Sequence, residues 1–296
     1  MTETLVIANP AAGRGRALRV ESKIVALFAS HGHSAEFVHS LSSIDARETA
    51  RRAATNGVKN VVALGGDGMF HYVAEGLLGT DSVAGFFPAG NGNDIAKGLG
   101  LPDDPVRAAK IFLQVAPRRV DVVRAHFSNG RTVHFVGTGG MGLDAEAAFQ
   151  ANTSFRNWPG ALRYLAGALR TFSREPAFQL RAEIDGATWE GRCVLASVAN
   201  GPSYGSGIRI APDAKMNDGI LNVVLIEEVG WLRLLHGLFI LLSHRELHFD
   251  EVKRFRAKNV QLSPSRSMKV HGDGEDLGES PVEFEVLPGA LWVKAP

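Results

Sequence analysis

The chain has 296 residues, 45% hydrophobic and 21% charged, which is long for one domain and comfortable for two ordinary globular ones. Lys+Arg of 32 against Asp+Glu of 31 leaves a formal charge of +1, so no global field argues for nucleic acid and any basic surface must be local. The single cysteine, Cys193, excludes an intrachain disulfide and a cysteine-based metal cluster, and fits a reducing, cytoplasmic compartment. Residues 1–4 offer no basic region ahead of an apolar stretch, so no signal peptide is expected. The most apolar segment, 232–242, is too short to span a bilayer and contains Arg233 and His236.

In chain order, residues 5–8 read as a first buried strand, and 9–16 as the loop at its end, where Arg14 and Arg16 read either as phosphate holders or, as is commoner on a surface loop, as solvated side chains. An amphipathic helix over 18–29 and a strand over 35–39 follow, then a link at 40–43 and a helix over 45–55 with Asp45 as its N-cap. This βαβα order is the signature of a parallel sheet with helical crossovers. The run Val61-Val62-Ala63-Leu64 is short and rich in β-branched residues, as a strand covered on both faces should be; Gly65-Gly66-Asp67-Gly68 ends it, and 69–78 is helical. A strand over 82–87 then runs into Pro88-Ala89-Gly90-Asn91-Gly92-Asn93-Asp94, a helix starts at 94–98, and Pro102 and Pro105 punctuate the start of a helix over 106–115.

Two acid-bearing glycine turns thus sit at the carboxyl ends of buried strands. In open α/β sheets that edge binds ligands, and glycines there let bare N–H groups approach phosphate oxygens without a Cβ in the way. Asp67 cannot itself receive a phosphate, so it calls for a cation or a proton-bearing hydroxyl beside it; one such motif alone reads as a tight turn, and two together suggest a Mg²⁺-nucleotide site.

After Arg118-Arg119 the pattern changes. Hairpins are predicted over 121–136, turning at Asn129-Gly130, and over 179–198, turning at Asp185-Gly186; further strands follow at 220–226, 252–255, 260–262, 268–270 and 282–286. From about Val120 onward this is an antiparallel β domain carrying two helices. Gly137-Thr138-Gly139-Gly140-Met141-Gly142 matches the dinucleotide pattern, but no Asp or Glu between Glu146 and Glu175 is available for a ribose hydroxyl, so a Rossmann dehydrogenase is rejected. No glycine loop ends in Gly-Lys-Ser or Gly-Lys-Thr, which removes a P-loop kinase. On spacing alone, 215–220 reads as a surface turn. His271-Gly272-Asp273-Gly274-Glu275-Asp276 crowds carboxylates that repel one another, so a cation or a reacting hydroxyl is expected beside them. Segment 147–174 has Arg156, Arg163, Arg170 and Arg174, no acid, and large apolar residues between them, which reads equally as an ordinary docked helix and as a membrane-surface one.

Asn9-Pro10 with Gly13, Gly65-Gly66-Asp67-Gly68, Pro88-Ala89-Gly90-Asn91-Gly92-Asn93-Asp94, Ala199-Asn200-Gly201-Pro202, Asp218-Gly219 and Asp273-Gly274-Glu275 occur in an order that resembles the diacylglycerol kinase catalytic-domain family, especially its soluble bacterial lipid kinases. The resemblance implies a two-domain α/β protein: a Rossmann-like parallel nucleotide domain over 1–119, to which 287–296 returns, and an antiparallel β-sandwich domain over 120–286 that binds lipid, with the active site in the cleft. It places ATP near Asn9, Ser40, Gly65, Gly66, Asp67, Gly68, Met69, Tyr72, Gly90, Asn91 and Asn93. It makes Asp273 the base for the acceptor hydroxyl with Glu275 beside it, gives Asp67 and Asp94 to the nucleotide-bound metal, and makes Asp218, with the carbonyls of Lys215 and Ile220, a structural Mg²⁺ site. The chain departs from the family pattern at Met69 and Asn91, where Thr is usual, and at Asn222, where an acid is common. The implied activity is ATP- and Mg²⁺-dependent phosphorylation of a diacylglycerol-like lipid at a membrane surface, in phospholipid biosynthesis, by a cytoplasmic enzyme in peripheral membrane contact; a homodimer is admitted. Two alternatives stay open: an NAD-kinase-like enzyme with a soluble acceptor, and a non-catalytic nucleotide- or lipid-binding homologue.

Overall fold

The structure, a computed structural model, describes residues 3–40, 42–143, 170–173, 177–205, 207–243 and 245–296. The chain divides into two compact units, one of Met1–Val122, Met216–Asp218 and Leu287–Pro296, the other of Val123–Lys215 and Gly219–Val286. The basic segment 147–174 lies outside the described residues apart from 170–173.

In the first unit β1 (Thr4–Ala8), β2 (Glu36–His39), β3 (Asn60–Gly65) and β4 (Val83–Pro88) pair in parallel in the order β4-β3-β1-β2, so their carboxyl ends share one edge. Between them run α1 (Arg16–Ser30), α2 (Ser43–Thr55) and α3 (Asp67–Leu77), with α4 (Asp94–Gly98) and α5 (Pro105–Gln114) after β4. The central strands are apolar at almost every position because helices cover both faces. Phe28 of α1, Phe87 of β4 and Phe112 of α5 meet as an aromatic cluster, while Phe70 of α3 stacks tilted on Phe86 with ring centroids 4.8 Å apart. The end of the chain belongs to this unit as well: Val293 pairs in parallel with Ala84, and the buried Asp121 carboxylate accepts the Gly289 N–H at 2.7 Å.

Two boundaries differ from the sequence reading. Helix α2 begins earlier, capped by Ser42, whose hydroxyl accepts the Asp45 N–H at 3.2 Å; Asp45 therefore sits in the first turn, where its charge complements the helix dipole, and is not the cap. Helix α3 begins at Asp67, so the acid of the glycine turn is itself helical.

The second unit is antiparallel. It contains most of β5 (Arg118–Phe127), then β6 (Thr132–Phe135), β7 (Thr138–Gly142), β8 (Phe178–Ile184), β9 (Ala187–Ala199), β10 (Leu221–Glu227), β11 (Val252–Ala257), β12 (Asn259–Pro264), β13 (Lys269–Gly272), β14 (Glu275–Glu279) and the first part of β15 (Val282–Val293). Strand β9 is buried on both faces: Cys193, Ala196 and Val198 join the core with Phe135, Phe284 and Leu262, whereas Val194, Leu195 and Ala199 pack with Leu234 of α6 (Trp231–Leu242). The glycine-rich 137–142 stretch is strand β7, threaded between β9 and β13. A Cβ on Gly140 would lie 2.3 Å from the Ala196 carbonyl oxygen, so close strand packing explains a glycine there and no phosphate need be invoked.

Burial, with Glu227 nearby, pushes the Cys193 thiol up to about 12. At pH 8 about one such thiol in 10⁴ is ionised, so maleimide should label native protein ~10³-fold more slowly than protein unfolded in denaturant. Equal labelling rates in the two states would show that β9 is not packed as described.

Candidate nucleotide and acid site

The loops after β1, β3 and β4 are built as one piece. The Asn9 N–H donates to Leu64 O (3.0 Å), its side-chain oxygen accepts from Ala11 N–H (2.9 Å), and the Ala89 and Gly90 N–H groups both donate to Gly65 O (2.6 and 3.1 Å). Gly66 and Gly90 lie backbone against backbone: a Cβ on Gly90 would come 2.6 Å from the Gly66 Cα. Glycine is therefore demanded first by the packing of the two loops, and the same packing leaves their N–H edges unobstructed by side chains. Asn93 adopts a left-handed conformation (φ 54°), and its buried amide closes on Gly90 twice, accepting its N–H and donating to its carbonyl at 3.0 Å each. Ser40 is buried after β2, its N–H on Ala8 O (2.9 Å) and its hydroxyl on Ser42 O (2.8 Å).

Asp67 joins the β3 and β4 loops. One carboxylate oxygen accepts the Asp94 N–H and the other the Ile95 N–H, each at 3.0 Å, which satisfies two of the open donors at the start of α4. Asp94 is buried and bonds Lys97 Nζ (3.3 Å), which also donates to Gly92 O (2.8 Å). Lys97, three residues past Asp94 in the same helix, is a cation at this edge that sequence reasoning missed; a search for basic residues within one helical turn of each acid would have found it. Gly68 lies in the first turn of α3, Met69 is buried with its Cβ under Gly65, Tyr72 is half-buried with its ring edge-on to His71, and Asn91 is exposed.

In the second unit Asp273 occupies the β13–β14 turn with φ 54°. Its two carboxylate oxygens accept the N–H groups of Val136 (2.8 Å) and Gly137 (2.7 Å), while its own N–H donates to Thr138 O (2.9 Å). The Val136–Gly137 peptide is held from its other side by Asn200, fully buried, whose Nδ2 donates to Val136 O at 2.7 Å and whose N–H donates to Gly137 O at 2.9 Å. Asn200 had been noticed only as part of a family segment; its role is created by residues 64 positions away. Glu275 is half-buried as the first residue of β14, a strand that sequence reasoning took for a turn because its outward positions are acidic.

The 215–220 segment is a turn ahead of β10. Met216 O accepts the Asp121 N–H at 2.7 Å, Asp218 and Lys215 are exposed, Ile220 is half-buried and Gly219 has φ 68°. Among the described residues no group of three or more His, Cys, Asp or Glu side chains gathers to hold a metal. A carboxylate with main-chain carbonyls is a different, all-oxygen donor set of the kind hard divalent cations take.

Comparison with known proteins bears on both halves. Residues 3–125 match the family model of the diacylglycerol kinase catalytic domain, and residues 137–295 match that of the YegS C-terminal NAD kinase beta sandwich-like domain. The chain belongs to the diacylglycerol kinase family. It is 31% identical over 294 residues to a diacylglycerol kinase of Mycobacterium tuberculosis, covering 98% of this chain and 94% of that protein. A Pseudomonas putida family member named "Probable lipid kinase YegS-like" is 32% identical over 263 residues, covering 85% of this chain and 82% of that one. A crystal structure of a diacylglycerol kinase from Bacillus anthracis shares the fold, with a TM-score of 0.76 at 22% identity over 99% of this chain and 97% of that one.

The bonding of Asp67 predicts how its substitution behaves. Asp67→Ala leaves the Asp94 and Ile95 N–H groups without their acceptor and should cost ~1–3 kcal/mol of stability, with Asp67→Asn, which keeps one acceptor oxygen, losing less. Unchanged melting temperatures for both variants would remove Asp67 as the link between the two loops.

Proposed function

We propose that the protein is an ATP-dependent lipid kinase acting on the hydroxyl of a diacylglycerol-like acceptor. The observation that carries this reading is identity to a diacylglycerol kinase at 31% across 98% of the chain, which takes in both the nucleotide loops and the Asp273 turn. The first unit supplies the nucleotide loops: main-chain N–H groups of the Gly66–Gly68 and Asn91–Asn93 turns for phosphate oxygens, with Asn9, Ser40, Gly65, Gly90, Met69 and Tyr72 around them. Phosphoryl transfer asks mainly for positioning and charge neutralisation, and rigid main-chain donors suit both.

Asp273 is the base. Its carboxylate is held in place by the Val136 and Gly137 N–H groups, so the acceptor hydroxyl would meet a positioned base to take its proton. The acceptor oxygen bonds to the γ-phosphorus as the bond to the β–γ bridging oxygen breaks, ADP leaves, and the hydroxyl proton passes to Asp273. Asn200, through the Val136–Gly137 peptide, keeps that carboxylate placed, and Glu275 stands two residues on. A divalent cation accompanies the nucleotide, neutralising phosphate charge when bound; Mg²⁺ is our assignment, with Asp67 and Asp94 on the nucleotide side and Asp218 with the Lys215 and Ile220 carbonyls as a separate structural site. No helix among the described residues is long and apolar enough to cross a membrane. We assign the enzyme to the cytoplasm, meeting its lipid by peripheral contact, on its likeness to soluble bacterial lipid kinases. The likeness of 137–295 to an NAD kinase sandwich keeps a soluble acceptor as the competing reading.

Phosphate transfer from ATP to diacylglycerol, NAD and water decides between them: transfer to NAD alone, or to none, overturns the assignment. Asp273→Asn should lower turnover by ~10² to 10⁴. It should also lower the melting temperature, because the amide sets an N–H₂ donor against one of the two main-chain N–H groups. Near-parental turnover in that variant would shift the base to Glu275.

Asp218→Ala tests the second cation. Mg²⁺ binding only to the native state raises stability by mass action. The parent should gain melting temperature in Mg²⁺ and the variant should not; equal gains would move the cation elsewhere.

A further inference from the structure

We propose that α6 (Trp231–Leu242) is a membrane-docking helix whose outer face inserts into the headgroup–acyl boundary of one leaflet. The inference rests on the lipid-kinase reading for its biological sense and on the helix itself for its physics. The sequence Trp-Leu-Arg-Leu-Leu-His-Gly-Leu-Phe-Ile-Leu-Leu is apolar nearly all round. Such a helix is normally buried on every side. Here only one side is: Leu234 and Leu238 pack onto Val194, Leu195 and Val224 of the sheet. On the other, Leu232 is 86% exposed, Phe239 70%, Trp231 48% and Leu235 46%. Leu232, Leu235 and Phe239 recur at i, i+3 and i+7, which puts them on a single stripe.

The surroundings favour a bilayer. At 12 residues, or about 18 Å, the helix cannot span a membrane but can lie in its surface. Four side chains at these exposures offer roughly 500 Å² of apolar surface, at the upper end of the largest patch a monomer ordinarily leaves open. Much of the charge near the stripe is held in ion pairs. Glu228 bonds Arg192, Glu251 bonds Arg233, Glu246 bonds Arg254, and Glu227 pairs with Lys253. Arg233 is further tied down by lying over the Phe249 ring at 4.2 Å. Arg245, just past the helix, and Asp250 are exposed charges of opposite sign, so the border carries little net field toward phosphate headgroups. Docking through α6 is thus hydrophobic, and its signature is indifference to salt.

The experiment compares the full-length parent with a Leu232→Ser, Phe239→Ser double variant, both checked by thermal unfolding, since exposed positions should leave the melting temperature unchanged. Flotation with phosphatidylcholine vesicles containing diacylglycerol should show the parent bound at low and high salt. The variant should bind ~10²-fold or more weakly, as two large side chains leave the hydrocarbon. Turnover on vesicle diacylglycerol should fall with binding, while turnover on dispersed short-chain diacylglycerol is kept. Parent binding that high salt abolishes, equal binding by both proteins, or a parental dimer that the double variant dissociates would each overturn the inference. If the parent floats with vesicles through α6 yet phosphorylates neither form of diacylglycerol, docking stands and the kinase reading falls.

Discussion

The nucleotide half of this molecule depends on one carboxylate held by two successive main-chain N–H groups. Asp67 starts α3 and bonds the first two N–H groups of α4, so two glycine turns that follow neighbouring parallel strands cannot move apart without breaking both bonds. The Gly66–Gly90 backbone contact is affordable only because neither residue has a Cβ. Two closely packed glycine turns at the carboxyl edge of the sheet follow from that pair of constraints, and phosphate binding would use the main chain there.

The same device occurs twice more. Asp273 accepts from Val136 and Gly137, and Asp185, in the β8–β9 turn at φ 46°, accepts from Lys258 and Asn259. Each aspartate leaves a glycine-adjacent turn to tie down a strand or helix start elsewhere in its own unit. Asp185 shows that this arrangement by itself is architecture. Asp273 differs in what backs its peptide: a buried side chain, Asn200, holds the Val136 carbonyl, whereas the Lys258 carbonyl beside Asp185 is held by the main-chain N–H of Val286 within the sheet.

The strands that build the nucleotide edge were legible because burial on both faces imposes a continuous apolar run, which nothing else in 61–64 or 83–88 could explain. Glycine turns after those runs were legible for the same reason. Less readable was anything decided by which atom reaches which. Ser42 and Asp45 are both good caps by composition, and only the 3.2 Å bond from Asp45 N–H to the Ser42 hydroxyl selects between them. Strand β14 is hidden because three of its five residues, Glu275, Asp276 and Glu279, are acids, and β15 runs on to Val293 through Pro288-Gly289, a pair that reads as a break. The dinucleotide-like glycines were judged accidental as a motif, and their cause, Gly140 against the Ala196 carbonyl, involves a strand more than fifty residues away.

Met69 and Asn91, where the family pattern that the sequence resembles has threonine, gain a physical account from the packing. Met69 is buried, and its Cβ fills the space beneath Gly65 that a side chain there would need. It therefore acts as a support for the β3 loop. Asn91 is exposed at the crest of the β4 loop, with an amide able to donate where a hydroxyl would. Neither residue enters the bonds that Asp67, Asn93 and Gly65 use to fix the two turns. Losing the two hydroxyls consequently leaves the main-chain donors in place, and a nucleotide held chiefly by those donors depends on the backbone geometry far more than on the identity of residues 69 and 91.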